Sequence, residues 1–144
     1  MVTSGNKNVL VLGLVAGACV MFFLQKVFTT SSERPRSNEA WGLFVGVTFR
    51  DSVAKAEFKT LFTPFAKCIE EFEPNTLSYM YMNSDKEATR GMIVERYLDK
   101  DNAFLAVHKT SETFLEFRKE LQKMQTDGKV KLDGESYQEG IGYM

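Results

Sequence analysis

Between Trp41 and Phe72 the hydrophobic pattern changes its period, and that change limits the chain to architectures in which a helix packs against a sheet. The odd positions Trp41, Leu43, Val45, Val47 and Phe49 are all apolar, the period-two signature of a strand with one buried face. On the alternate positions Gly42 and Gly46 flank Phe44, so the other face offers space beside that ring, for close packing or for a ligand. Asp51 or Ser52 can cap a helix. Beyond them Phe58, Leu61, Phe62, Phe65, Ile69 and Phe72 fall at helical spacing along one stripe. Thr63-Pro64 interrupts that stripe. Proline lacks an amide donor and crowds the preceding turn, so a kink or a break is expected there.

Period two returns after Glu73-Pro74-Asn75. Residues 76–82 alternate Leu77, Tyr79 and Tyr81 with Ser78, Met80 and Met82. Residues 91–98 alternate Ile93, Glu95 and Tyr97 with Met92, Val94 and Arg96, across a polar connection at 83–90. A second helical region starts near Asp101 and carries Phe104, Val107 and His108. It pauses at Thr110-Ser111, where Ser111 can cap a longer helix bearing Phe114, Phe117, Leu121 and Met124. Residues 130–132, after Gly128, form a short strand candidate, and residues 140–144 a further strand or an arm to a partner. The order is βαββαβ, an α+β sandwich. Two helices cover one sheet face, and no further element of the domain is left for the other. A second copy of the chain is the expected cover, so a homodimer is expected.

The first 39 residues are of a different kind. Residues 9–24 carry no charged or strongly polar side chain, and residues 8–28 make 21 positions, about 30 Å as a helix and enough to span a bilayer core. We read them as a single transmembrane helix with Lys26 snorkelling outward. A cleaved signal segment led by Lys7, or a lipoprotein cut before Cys19, are the alternatives. Lys26, Arg34 and Arg36 follow the helix while Lys7 precedes it, which places the domain on the cytosolic or another reducing side. Cys19 and Cys68 fall in different segments, in no CxxC or metal-ligand spacing, so neither a disulfide nor a metal is expected. The layout is then a tail at 1–7, an anchor at 8–28, a Ser/Thr/Pro-rich linker at 29–39 and one domain at 40–144. That domain holds 14 basic and 17 acidic side chains, which leaves no electrostatic footprint for nucleic acid.

His108 is the only histidine of the chain. Imidazole can act as a general acid or base near neutrality; the alternative is a helix-end histidine bonding loose carbonyls. Glu95 lies mid-strand among apolar neighbours and needs a partner, either His108 or a cross-strand cation such as Arg90. Tyr79, Tyr81 and Tyr97 can present hydroxyls to a pocket while their rings pack, and Trp41 suits packing or a dimer contact. The sequence has no GxGxxG, P-loop, HExxH or GxSxG pattern, so no nucleotide cofactor and no hydrolytic zinc are expected.

Three runs stand together: Glu73-Pro74-Asn75-Thr76-Leu77-Ser78-Tyr79, then Ile93-Val94-Glu95-Arg96-Tyr97, then His108-Lys109-Thr110-Ser111 with Phe114 and Phe117 behind it. This layout resembles the antibiotic biosynthesis monooxygenase (ABM) domain family over residues 40–144. The resemblance implies a ferredoxin-like fold that pairs into a dimeric α/β barrel. It implies catalytic roles for His108, Glu95 and Tyr97, and a substrate pocket that includes Tyr79, Tyr81, Trp41, Phe44 and Phe104. Oxygenation without a cofactor fits these side chains, since a deprotonated electron-rich aromatic can itself reduce O₂ if the protein supplies a base, donors and a dry cavity. With the anchor, the expected activity is a monooxygenase acting on a lipophilic phenol or quinol, a small aromatic molecule. The alternative is a membrane-tethered binding or assembly module without catalysis. Haem-degrading relatives use an Asn on the first strand and a Trp after the third. Here no Asn lies between Trp41 and Asp51 and Tyr97 ends the third strand, so haem binding through His108 is a third reading. A polar pocket joining His108, Glu95 and Tyr97 is expected of the enzyme, and a solid interior of Phe and Met of the module.

Overall fold

The computed structural model describes residues 40–141, so the anchor, the linker and the last residues of the tail lie outside it. Among the described residues no helix is long and apolar enough to cross a membrane. The elements are β1 (Trp41–Phe49), α1 (Ser52–Phe72), β2 (Thr76–Asn83), β3 (Arg90–Tyr97), a π-wound segment (Lys100–Val107), a 3₁₀ turn (His108–Thr110), α2 (Glu112–Thr126) and β4 (Val130–Gln138). The sheet order is β2-β3-β1-β4, with all three pairings antiparallel. This is the expected ferredoxin-like βαββαβ sandwich.

The period switch has the consequence it predicts. Asp51 caps α1 by accepting from the amide of Ala54 at 2.8 Å. The stripe Phe58, Phe62, Phe65 and Ile69 is buried with Val47 and Phe49 of β1, Ile93 of β3, Val130 of β4, and Phe117, Leu121 and Met124 of α2. The rings of Phe65 and Phe117 stack at 4.3 Å and join the two helices. Phe72, the last member of the stripe, is exposed.

Two expectations need correction. α1 is unbroken through Pro64. Pro64 is on the solvent side of the helix, where water can reach the Thr60 carbonyl that loses its donor. β4 runs nine residues rather than three. Its second half is exposed and carries little hydrophobic signal, because backbone pairing with β1 holds it. The expectation for the two cysteines involves Cys19, which lies outside the described residues.

Two glycines are fixed by geometry. Gly128 takes φ 66° in the turn after α2, a region that side chains with a Cβ rarely enter. A Cβ at Gly91 would collide with the Tyr81 hydroxyl and with the Met82 carbonyl, so glycine there lets the Tyr81 ring lie across β3.

The sheet face away from the helices is bare among the described residues. Met80, Met82, Met92 and Tyr137 are exposed on it, Phe44 packs edge-on against Tyr137 at 5.6 Å, and Arg96 pairs with Glu139.

Candidate active site

α1 ends at Phe72, and Glu73 follows as its C-cap. A carboxylate at that end opposes the helix dipole, and here it is turned inward and buried. Two groups reach it. Thr76, the first residue of β2, donates its hydroxyl to Glu73 Oε2 at 2.9 Å. His108 Nδ1 lies 2.9 Å from the same oxygen. With Nδ1–H donating to Glu73, the ring is fixed and Nε2 is the atom left to take up a proton. Nε2 is buried and has no hydrogen-bond partner.

His108 is delivered by an irregular stretch. Asp99 caps the π-wound segment by accepting from the amides of Asn102 and Ala103. The wide winding shows in the His108 amide, which donates to both Ala103 and Phe104. Ser111 then holds the 3₁₀ turn, donating its hydroxyl to the His108 carbonyl at 2.9 Å and accepting from the amide of Phe114 at 3.2 Å. His108 is 0% exposed. Its ring bonds Glu73 rather than the loose carbonyls of a helix end.

Glu95 and Tyr97 project from β3 into the same interior, two residues apart on one strand face. The Tyr97 hydroxyl donates to Glu95 Oε2 at 2.8 Å. Burial pushes the Glu95 carboxyl up to about 7; the Tyr97 hydroxyl and the His108 charge pull it down, and Glu73 pushes it up. Burial, then the Glu95 charge, raises the phenols of Tyr97 and Tyr79 far above their usual range, so both keep their protons and serve as donors. Arg90 does not pair with Glu95; it bonds Glu87 at 3.1 Å.

The structure therefore joins His108, Glu95, Tyr97 and the Tyr79 hydroxyl in one polar cluster, and adds Glu73 and Thr76, which the sequence reading missed. The signal was an acidic residue capping a helix C-terminus, where it is unfavourable without a compensating partner. Trp41 and Phe104 pack at 4.5 Å and close this end of the sheet over Tyr97. Tyr81 lines a separate cleft between α1 and β2, and its hydroxyl is buried without a partner. Phe44 is not part of the cluster. It lies on the opposite sheet face, in a shallow cavity of about 470 Å³ with Met92, Arg96 and Tyr137, because even positions of β1 point away from the helices.

Aromatic rings seal the cluster. Those of Phe114, Tyr97, Tyr79, Phe65 and Phe104 stand 4.8–6.0 Å from the His108 ring. His108 lines neither the cavity beside Phe44 nor the α1/β2 cleft. No group of three or more metal-ligating side chains is found among the described residues.

No protein-family model matches the sequence, and no curated protein matches it. Solved structures do match. SnoaB, a cofactor-independent oxygenase from Streptomyces nogalater, is 14% identical, with a TM-score of 0.58 over 72% of this chain and 96% of its own. A candidate antibiotic biosynthesis monooxygenase from Caulobacter crescentus is 18% identical, with a TM-score of 0.57 over 72% of this chain and 92% of its own. A conserved protein from Methanosarcina mazei is 14% identical, with a TM-score of 0.58 over 72% of this chain and 96% of its own. At these identities the likeness defines the fold: the domain has the architecture of ABM proteins.

Proposed function

We propose that the domain is a cofactor-independent monooxygenase acting on a lipophilic phenol or quinol. The observation that carries this reading is the His108 ring, held through Nδ1 by Glu73, with a buried Nε2 that no side chain or backbone group bonds, beside Glu95 and two protonated phenols. In the reaction His108 Nε2 removes the substrate's acidic proton, and Glu73 stabilises the imidazolium that forms. The substrate anion reduces O₂. One oxygen atom forms a C–O bond, and the other leaves as water with the two hydrogens the substrate loses. Tyr79 and Tyr97 donate to the negative oxygen as it develops, and Glu95, titrating near neutrality, relays the proton.

Residues 8–28 hold the domain at a bilayer, which supplies a lipophilic substrate. The bare sheet face with Met80, Met82, Met92 and Tyr137 is covered by a second copy of the chain. Alkaline carbonate should leave the protein in the membrane pellet, and sedimentation of the detergent-solubilised chain should give a dimer. Release into the supernatant removes the anchor, and a monomer at micromolar concentration removes the barrel.

His108→Gln tests the chemistry, because it keeps an amide N–H for Glu73 and deletes the base. Oxygen uptake with a panel of naphthols and quinols should fall by about 10²–10⁴-fold while the melting curve stays cooperative. Equal uptake in parent and variant removes His108 from the mechanism. The closed ring of aromatics around His108 supports a second reading, a binding or assembly module, which is preferred if the parent consumes no oxygen with any of the panel.

A further inference from the structure

Tyr79 belongs both to the buried polar cluster and to a cavity open to solvent. Its hydroxyl end meets Glu95 inside the sandwich. Its ring stacks on Phe62 at 5.5 Å and 15° and stands 5.4 Å from the His108 ring. The same ring forms part of the wall of the α1/β2 cleft, about 600 Å³ in volume, together with Phe62, Leu77, Met80 and Tyr81. That volume is ordinary for a small-molecule site. The cleft also carries two lysines, Lys59 and Lys67, against one carboxylate, Glu70. Lys59 Nζ is 6.0 Å from the centre of the Tyr81 ring. The two lysines are eight residues apart on α1, about 12 Å along the helix.

We propose that the α1/β2 cleft binds the substrate, a planar aromatic carrying an acidic oxygen such as a carboxylate or phenolate, and that Tyr79 is the gate between it and His108. This rests on the oxygenase reading for the use of the cluster, though not for the binding itself. Phe62, Tyr79 and Tyr81 give flat apolar contact, and Lys59 and Lys67 give the positive charge that selects an anionic edge over a neutral one. Tyr79 swinging outward would open a path from the cleft to the His108 ring, which stands 5.4 Å from its own. Phe104, 6.0 Å from the His108 ring and not part of the cleft wall, is the competing way in.

Because His108 is the only histidine, its reaction with diethyl pyrocarbonate, read as N-carbethoxyhistidine absorbance, reports access to this one ring. The full chain in detergent is used without a histidine tag, and the probe is 1,4-dihydroxy-2-naphthoate under argon. Tyr79→Ala should accelerate acylation at least tenfold, and bound probe should slow it again. Lys59→Glu with Lys67→Glu, both on the surface of α1, should weaken probe binding at least tenfold by fluorescence and leave 1,4-dihydroxynaphthalene, which lacks the carboxylate, unchanged. Acylation accelerated by Phe104→Ala and not by Tyr79→Ala overturns the gate. Probe affinity indifferent to both lysines overturns the site, and this holds if Tyr79→Ala fails to fold. Binding and acylation are measured without oxygen, so an absence of oxygen uptake speaks against the oxygenase reading alone.

Discussion

The sandwich is closed in two ways along the strand direction. At the end formed by Val47, Phe49, Phe58, Phe62, Phe117, Leu121 and Val130, regular helices meet the sheet and the contact is purely apolar. At the other end Trp41, Tyr97 and Ala103 form a separate small cluster, and Glu73, Thr76, Glu95 and His108 are buried beside it. That end is closed by a π-wound segment and a 3₁₀ turn. The difference teaches where each cost lies. Burial of rings stabilises the first end at about 2–3 kcal/mol per fully buried side chain. Desolvation of ionisable groups strains the second, and only mutual hydrogen bonds offset it.

The largest effect should come from the apolar end. Phe58 is 0% exposed and is ringed by Phe49, Phe62, Tyr81 and Phe117 at 5.2–6.4 Å. Phe58→Ala should lower unfolding free energy in denaturant by about 3–5 kcal/mol. A loss below about 1 kcal/mol would mean that stability does not reside there, and the contrast breaks.

Glu95→Gln sharpens the other side. Glu95 faces Tyr97 and Tyr79 and feels the charges of His108 and Glu73. Its folded value of about 7 lies above the ordinary 4.5, so the folded state holds this proton more tightly than the unfolded chain. Stability from this group is fully present below about pH 4.5 and is lost as pH rises through about 7. The parent should therefore lose on the order of 3 kcal/mol across that window relative to Glu95→Gln. Parallel pH–stability curves for the two proteins would show that Glu95 is not strained by burial.

Ser111→Ala should have the smallest effect, about 1 kcal/mol for a lost helix cap, read from the denaturation midpoint. Its interest is local. Because Ser111 also bonds the His108 carbonyl, the variant should speed amide exchange of the 3₁₀ turn more than that of α1. Uniform exchange through the domain would show that the turn is not held independently.

Much of the fold was legible because Phe58, Phe62, Phe65 and Ile69 repeat at one helical face and because β1 alternates without a fault. The membership of His108, Glu95 and Tyr97 in one cluster was legible for the same reason, since same-face positions on β3 converge with a single histidine. Glu73 was not, because a residue read as the end of a helix gives no period to analyse, and its inward turn follows from the paths of β2 and of the π-wound segment. For Phe44 the alternation showed the face, opposite to that of Leu43 and Val45, and the glycines showed the space beside it, but neither showed that this cavity lies away from His108. β4 was underestimated because its ladder to β1 uses backbone groups, which leave no mark on side-chain hydropathy.

The winding of Lys100–Val107 also acts as a counter. Each residue of an α-helix turns the chain by about 100°, and a π turn takes up one residue more than an α turn does. A single residue removed from this stretch can therefore be absorbed by a return to ordinary winding, since the wide turn is what holds the extra residue. Were the wide winding kept instead, His108, first residue past the segment, would be drawn back by one position and turned off Glu73. Orientation of the imidazole is thus encoded in the number of residues between Asp99 and His108 together with the winding that spaces them.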